Sequence, residues 1–327
     1  MRSGYIGKVN ESPGRVDGLP AITTVLAARR YFLDGASKTE IAAELGISRF
    51  KVARLLLDAV RDGVVRIQID AVPEVDEVLS RELAVATGIR SAVVVRSNDG
   101  RTQFPGSLLG RAAAAVLAEG LADDDILGIS WGRTLHSMVG HLPPLPACAV
   151  VQLVGSVPSL ELDVNSTELV RRLAERAGGR VYPLHVPLIL QSAGVAEALR
   201  SDPNLSQTLD MFSRVTRAVV GIGAWVEGGS TVRAALSAED GRAIEAAGAI
   251  ADVCGIPLDG EGREVFAGGL PERRIAISAA QLRVVPDVVA ISAGEHKIAA
   301  IGSALRSGLL HRLITDDVTA RGLIAGA

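Results

Sequence analysis

From Ser91 onward the chain alternates short apolar runs with amphipathic stretches, and this alternation narrows the choice of fold more than any other feature. The runs are SAVVVRS (91–97), DILGIS (125–130), CAVVQLVG (148–155), AVVGIG (218–223), VVAIS (288–292) and LLHRLIT (309–315). They are short and rich in β-branched residues, as buried strands are. Helical patterns fall between them, at 106–120, from Gly132 and at 166–177. A strand–helix–strand rhythm predicts an α/β fold with a mainly parallel sheet covered on both faces. The chain is 48% hydrophobic over 327 residues, enough for a substantial core.

Ahead of this body, Lys38 to Ile69 reads KTEIAAELGISRFKVARLLLDAVRDGVVRIQI. Ile41, Ala42, Leu45, Ile47, Val52 and Leu55 are apolar where two crossed helices must pack. Gly46 suits a turn that needs positive φ. Ser48 is a good N-cap for a second helix, Arg49 to Asp62, which Gly63 ends. A preceding helix, Ile22 to Asp34, would complete a three-helix core. Val64 to Ile69 alternates like a half-buried wing strand. This layout predicts a winged helix-turn-helix. In such a module the start of the second helix enters the major groove. Ser48 would open that helix, Arg49, Phe50, Ala53 and Arg54 would face base edges, and Lys51 and Arg66 would meet phosphates.

The charge is uneven. Residues 1–70 hold 11 Lys/Arg against 8 Asp/Glu, whereas the remainder holds 23 against 29. A basic head on an acidic body fits a nucleic-acid partner at the head. Only four residues are lysine (Lys8, Lys38, Lys51 and Lys297), and none lies between Lys51 and Lys297. A compact ammonium fits a tight polar pocket that a planar guanidinium does not. Cys148 and Cys254 form no metal or disulfide framework and read as core residues of a cytoplasmic protein. No apolar run is long enough to span a membrane, the five histidines show no metal-ligand spacing, and no cofactor motif is present.

In open α/β sheets, ligands bind beyond the carboxyl ends of the strands. Three predicted strand ends carry polar residues. The first is Gly128-Ile-Ser-Trp-Gly-Arg-Thr134, where Ser130, Gly132, Arg133 and Thr134 could cradle an anion at a helix N-terminus. The same residues also spell the G-x-S-x-G elbow of a hydrolase. Ser130 would then be a nucleophile, with Asp252 or Asp287 and His296 following in chain order. The second end is Gly155-Ser156. The third is Ser292-Ala-Gly294-Glu295-His296-Lys297, where a first-turn lysine asks for an anion or an acid as partner. Asp252 is a candidate partner; the alternative is a solvated loop acid.

These segments resemble the SorC family of transcriptional regulators, the group that includes the deoxyribonucleoside and central glycolytic gene regulators. The resemblance spans about residues 22–325. It rests on IAAELGISRFKVARLLLDAVRDGVVRIQI, GISWGRTL, GIGAW with ALSAEDGRAIEAAGAIADVCG, and AGEHKIAAIGSALRSGLLHRLITDDVTARGLI. It implies a sugar-binding body related to the glucosamine-6-phosphate deaminase and ribose-5-phosphate isomerase folds, without catalytic residues. It implies a sugar, sugar alcohol or sugar phosphate as effector, double-stranded operator DNA as partner, and a homodimer or homotetramer. By resemblance Ser130, Gly132, Arg133, Thr134, Gly155, Ser156, Asp252, Gly294 and Lys297 hold the effector. The chain departs from the family's Gly-Asp at Ala251-Asp252, and from its Gly-Gly at Gly155-Ser156 and Gly294-Glu295. These departures leave the sugar open. The expected organisation is a disordered tail (1–20), a helix-turn-helix domain (21–70), a linker helix (71–90) and an effector domain (91–327). The alternative is a sugar-phosphate isomerase, deaminase or esterase with an appended head.

Overall fold

A computed structural model describes residues 19–65, 73–97, 105–157 and 166–326. The chain divides into two compact units, Met1–Asp70 and Ala71–Ala327.

The first unit packs three helices, α1 (Leu19–Phe32), α2 (Lys38–Leu45) and α3 (Arg49–Arg61). Local chemistry sets their ends. The Ser37 hydroxyl accepts from the Glu40 amide at 3.2 Å, and the Glu40 carboxylate accepts from the Ser37 amide at 2.8 Å. This reciprocal pair closes the start of α2. Gly46 ends α2 in the left-handed region, φ 63° and ψ 32°. Two residues on, Ser48 caps α3 by accepting from the Lys51 amide at 3.2 Å. Ala27, Ala28, Ile41, Ala42, Val52, Leu56 and Ala59 form the core, with Leu45, Ile47 and Leu55 partly buried against it. Of the expected wing strand, Val64 and Val65 form a bend; the remainder, with Arg66, lies outside the described residues, as does most of the expected N-terminal tail.

The second unit is built on a seven-stranded, fully parallel sheet in the order β1-β10-β9-β5-β2-β3-β4. Its strands are β1 (Ser91–Val95), β2 (Ile126–Ile129), β3 (Ala149–Gln152), β4 (Val181–Tyr182), β5 (Arg217–Val220), β9 (Asp287–Ile291) and β10 (Arg312–Asp316). A second, antiparallel sheet joins β6 (Ile222–Ala224), β7 (Ala251–Val253) and β8 (Ile256–Leu258). Helices α4 (Glu77–Thr87), α5 (Pro105–Gly120), α6 (Arg133–His141) and α7 (Ser166–Ala177) are followed by shorter ones. All five residues of β9 are buried, as expected of a strand covered on both faces.

One sequence expectation changes here and two are sharpened. AVVGIG is two strands in two sheets, β5 and β6, separated by Gly221. Within the expected linker helix (71–90), α4 buries Leu79 and Leu83 in the core of the second unit and packs on β1. Of the two sequence readings of Asp252, the solvated loop acid falls: it lies in β7, buried.

The sheet order locates the site. From β2 the chain proceeds outward through β3 and β4, then returns to the other side of β2 for β5 and continues through β9 and β10. The strand order therefore reverses between β2 and β5. A crevice forms at the carboxyl ends of such a strand pair, and ligands of open α/β sheets bind there.

Candidate effector site and nucleic-acid interface

Ser130 follows β2 and Gly221 follows β5, so both stand at that crevice. The Ser130 hydroxyl is buried and accepts from the Gly221 amide at 3.2 Å. It also lies close enough to the Cys254 thiol to lower its pKa. No histidine reaches it among the described residues. Asp287 stands at the opposite, amino end of the sheet, ion-paired with Arg217 at 3.1 Å and Arg312 at 2.9 Å. The Ser–Asp–His arrangement drawn from the G-x-S-x-G motif is therefore not assembled, and Ser130 does not show the strained positive φ of an elbow.

Gly132 precedes α6 at φ 149° and ψ 158°, a backbone that glycine alone adopts without strain. No side chain caps α6. Its first-turn amides, and the exposed Arg133 and half-buried Thr134 beside them, can receive an anion.

Asp252 faces this loop from the second sheet. Its carboxylate accepts from the Ser230 hydroxyl at 2.5 Å and from the Gly255 amide. Gly223, paired with Asp252 across β6 and β7, leaves the space: a Cβ there would stand 2.1 Å from Asp252 Oδ1. Burial raises the Asp252 pKa, and the Ser230 bond and Lys297 only partly oppose it.

Lys297 arrives from β9. It ends a 3-10 turn, Glu295–Lys297, ahead of the helix Ile298–Arg306, and so precedes the α-helix whose first turn was expected to hold it. Its ammonium donates to the Ile222 carbonyl at 3.1 Å. It faces Asp252 closely enough to feel its charge, yet the two form no salt bridge. Burial lowers the Lys297 pKa; Asp252 partly restores it and Arg133 lowers it further. Gly294 donates its amide to the Thr319 hydroxyl at 2.8 Å and fixes the loop.

The structure thus gathers Ser130, Gly132, Arg133, Asp252 and Lys297 around one crevice. Gly155 and Ser156 are adjacent but differently occupied. The Gly155 amide donates to the Ile275 carbonyl at 2.9 Å, its carbonyl accepts from the Trp131 indole at 3.3 Å, and the Ser156 amide donates to Val186 at 2.8 Å. Gly155 is small because Leu188 backbone would lie 2.8 Å from a Cβ. These two residues brace the loop and have no free amide for a ligand. Sequence reasoning overlooked Ser230, Cys254 and Arg274. Ser230 and Arg274 carry no local signal. Cys254 does stand beside Gly255 in a two-residue stretch, but the apolar run hides the hairpin.

In the first unit, Ser48, Arg49, Phe50, Lys51 and Arg54 are exposed on the leading half of α3, and Ala53 is half-buried. Phe50 is 88% exposed. Arg49, Lys51 and Arg54 make no salt bridge among the described residues, whereas Arg61 at the far end is paired with Asp58 and Asp62. Uncompensated positive charge is therefore concentrated where α3 begins.

Known proteins fit this picture. The family model described as "Putative sugar-binding domain" matches residues 74–325. The chain is 31% identical over 306 residues to the transcriptional regulator YjhU of Escherichia coli K12, covering 90% of this chain and 92% of that one. It is 30% identical over 306 residues to the erythritol catabolism regulatory protein EryD of Brucella abortus, covering 91% and 95%. The full-length sorbitol operon regulator SorC of Klebsiella pneumoniae superposes with a TM-score of 0.71 at 27% identity, over 93% of this chain and 98% of that one. These relatives are transcriptional regulators, which supports a regulatory and not an enzymatic reading. The chain belongs to the SorC family of sugar-binding transcriptional regulators.

Proposed function

We propose that the chain binds operator DNA through its first unit and that a phosphorylated sugar or polyol in the second unit sets the affinity. The first unit acts as a helix-turn-helix, with Arg49, Phe50, Ala53 and Arg54 toward base edges and Lys51 toward phosphate. The second unit serves as an effector domain of the deaminase–isomerase type. The observation that carries the reading is the crevice itself. It combines an uncapped helix start beside Arg133 with an ammonium and a carboxylate that face each other without pairing. The helix start and Arg133 suit the phosphate, while Asp252 and Lys297 suit hydroxyl groups of the chain. Gly155, Ser156 and Gly294 shape the wall, and Thr134 lends a hydroxyl.

Regulation follows from linkage. An effector shifts operator affinity only by its differential affinity for two arrangements of the protein. Paired heads of a homodimer or homotetramer would require half-sites about one helical turn apart, or a multiple of it. Such a protein acts in the cytoplasm; no described helix is long and apolar enough to cross a membrane.

The test is a fluorescence-anisotropy titration of the full chain on DNA from upstream of its own gene, with and without a panel of aldose and alditol phosphates. Salt-dependent specific binding that one panel member changes supports the reading. Loss of sequence preference, or turnover of a panel member, would sink it.

A further inference from the structure

Cys254 is the sole non-glycine residue at positive φ among the described residues, at 52°. It and Gly255 (φ 72°) form the two-residue turn between β7 and β8, since Val253 pairs with Ile256. Such turns favour Asn-Gly, and a cysteine in the first position is held there by its surroundings. The Ser130 hydroxyl stands near the thiol on one side and lowers its pKa. On the other side, Arg274 Nη1 donates to the Cys254 carbonyl at 3.2 Å, and Nη2 donates to the Ile277 carbonyl at 3.4 Å. The Arg274 stem lies beneath the turn, with Cδ 3.4 Å from where a Cβ of Gly255 would stand.

Arg274 has no carboxylate in salt-bridge range among the described residues, and nearby Glu264 is paired with Arg283 at 3.0 Å. A half-buried guanidinium without an ion-pair partner is costly to keep. Its position gives the reason to keep it. The backbone around it is zipped to the bracing loop: Gly155 donates to Ile275 at 2.9 Å, and Ile277 donates to Leu153 at 2.8 Å. The planar fork bonds the Cys254 carbonyl of the turn and the Ile277 carbonyl of its own segment from two nitrogens in a fixed geometry, which a lysine's single rotatable ammonium does not reproduce.

We infer that Arg274 is a positioning residue for the effector site, clamping the Cys254–Gly255 turn that orients Asp252 to the segment that holds the Gly155 loop. The effector role of Asp252 in this inference rests on the function proposed above. The clamp itself does not, and is tested without any effector.

The test is N-ethylmaleimide labelling of the full chain, with Cys254 and Cys148 followed separately by peptide mass spectrometry. Both thiols are buried, so labelling reports opening. Arg274→Met should label Cys254 at least tenfold faster than the parent while Cys148 is unchanged. Electrostatics alone has the opposite sign. Burial holds the Cys254 thiol up at about 12 and Arg274 pulls it down, so removing the charge without releasing the turn slows labelling. Arg274→Lys keeps the charge and loses the fork, and should label Cys254 faster than the parent as well. As the milder change, it keeps the test open if Arg274→Met does not fold. Unchanged or slower Cys254 labelling in these variants overturns the clamp. So does an equal acceleration of Cys148, which marks general loosening. Failure of the effector reading shows instead in the operator titration.

Discussion

Replacing Lys297 by methionine removes one ammonium and leaves a side chain of similar length. In the absence of effector two consequences oppose each other. The Ile222 carbonyl loses its donor at 3.1 Å, and the burial that holds the Lys297 pKa down is relieved. We therefore expect the melting temperature to move by no more than about 4 °C, the shift that ~1 kcal/mol produces in a domain of this size. Effector binding has no such compensation. A hydrogen bond to a charged group contributes roughly 1.5–3 kcal/mol. At about 1.4 kcal/mol per factor of ten, the effector Kd rises about 10- to 150-fold. Operator affinity without effector stays within about twofold, because α3 belongs to the other unit. Calorimetry with the panel member that moves the operator titration gives the first number, and anisotropy gives the second. An effector Kd within about threefold of the parent would refute the placement of Lys297 in the site. A collapse of the melting temperature would show it to be a structural lysine.

Asp252→Asn should raise the melting temperature at pH 7. The buried carboxyl has its pKa raised above 3.8, so as pH climbs past that value the unfolded chain ionises first and the parent loses stability. The gap between variant and parent should close below about pH 4, and a variant that melts lower at pH 7 contradicts this account. Gly223→Ala places a Cβ 2.1 Å from Asp252 Oδ1 and 3.1 Å from Ser230 Cβ. Calorimetry should show effector binding lost, with about 1–3 kcal/mol of overpacking seen in urea melts; unaltered binding would mean that Asp252 can move freely. Arg49→Ala and Arg54→Ala should each weaken specific operator binding by roughly 1–3 kcal/mol at unchanged melting temperature, and normal binding by both would show that α3 is not the reading helix.

The two kinds of information met with unequal success. The end of α2 and the start of α3 are legible because Gly46 and Ser48 act on backbone groups within a few residues, whereas the Ser37–Glu40 pair that starts α2 was not read. Helix α7 occupies 166–177, as its apolar spacing predicts. The run AVVGIG, by contrast, conceals a change of sheet. Nothing in six apolar and glycine residues tells that Gly221 ends one ladder and Ile222 begins another. For Asp252 the sequence left two readings open, partner of Lys297 or solvated loop acid, because its shelter comes from afar. Ser230 lies 22 residues before it, Gly223 opposes it across β6, and Lys297 follows by 45.

The sequence by itself determined the α/β class, the three-helix head, most strands of the main sheet and which polar residues stand at their ends. These depend on periodicity, capping and turn chemistry, which are local. Only the tertiary structure decided that β2 and β5 flank the point where strand order reverses, that Asp252 and Lys297 face each other unpaired, and that Arg274 spans two segments beneath the turn. Those facts depend on contacts between residues far apart in the chain, where hydrogen bonding and burial are settled jointly and no single stretch carries the signal.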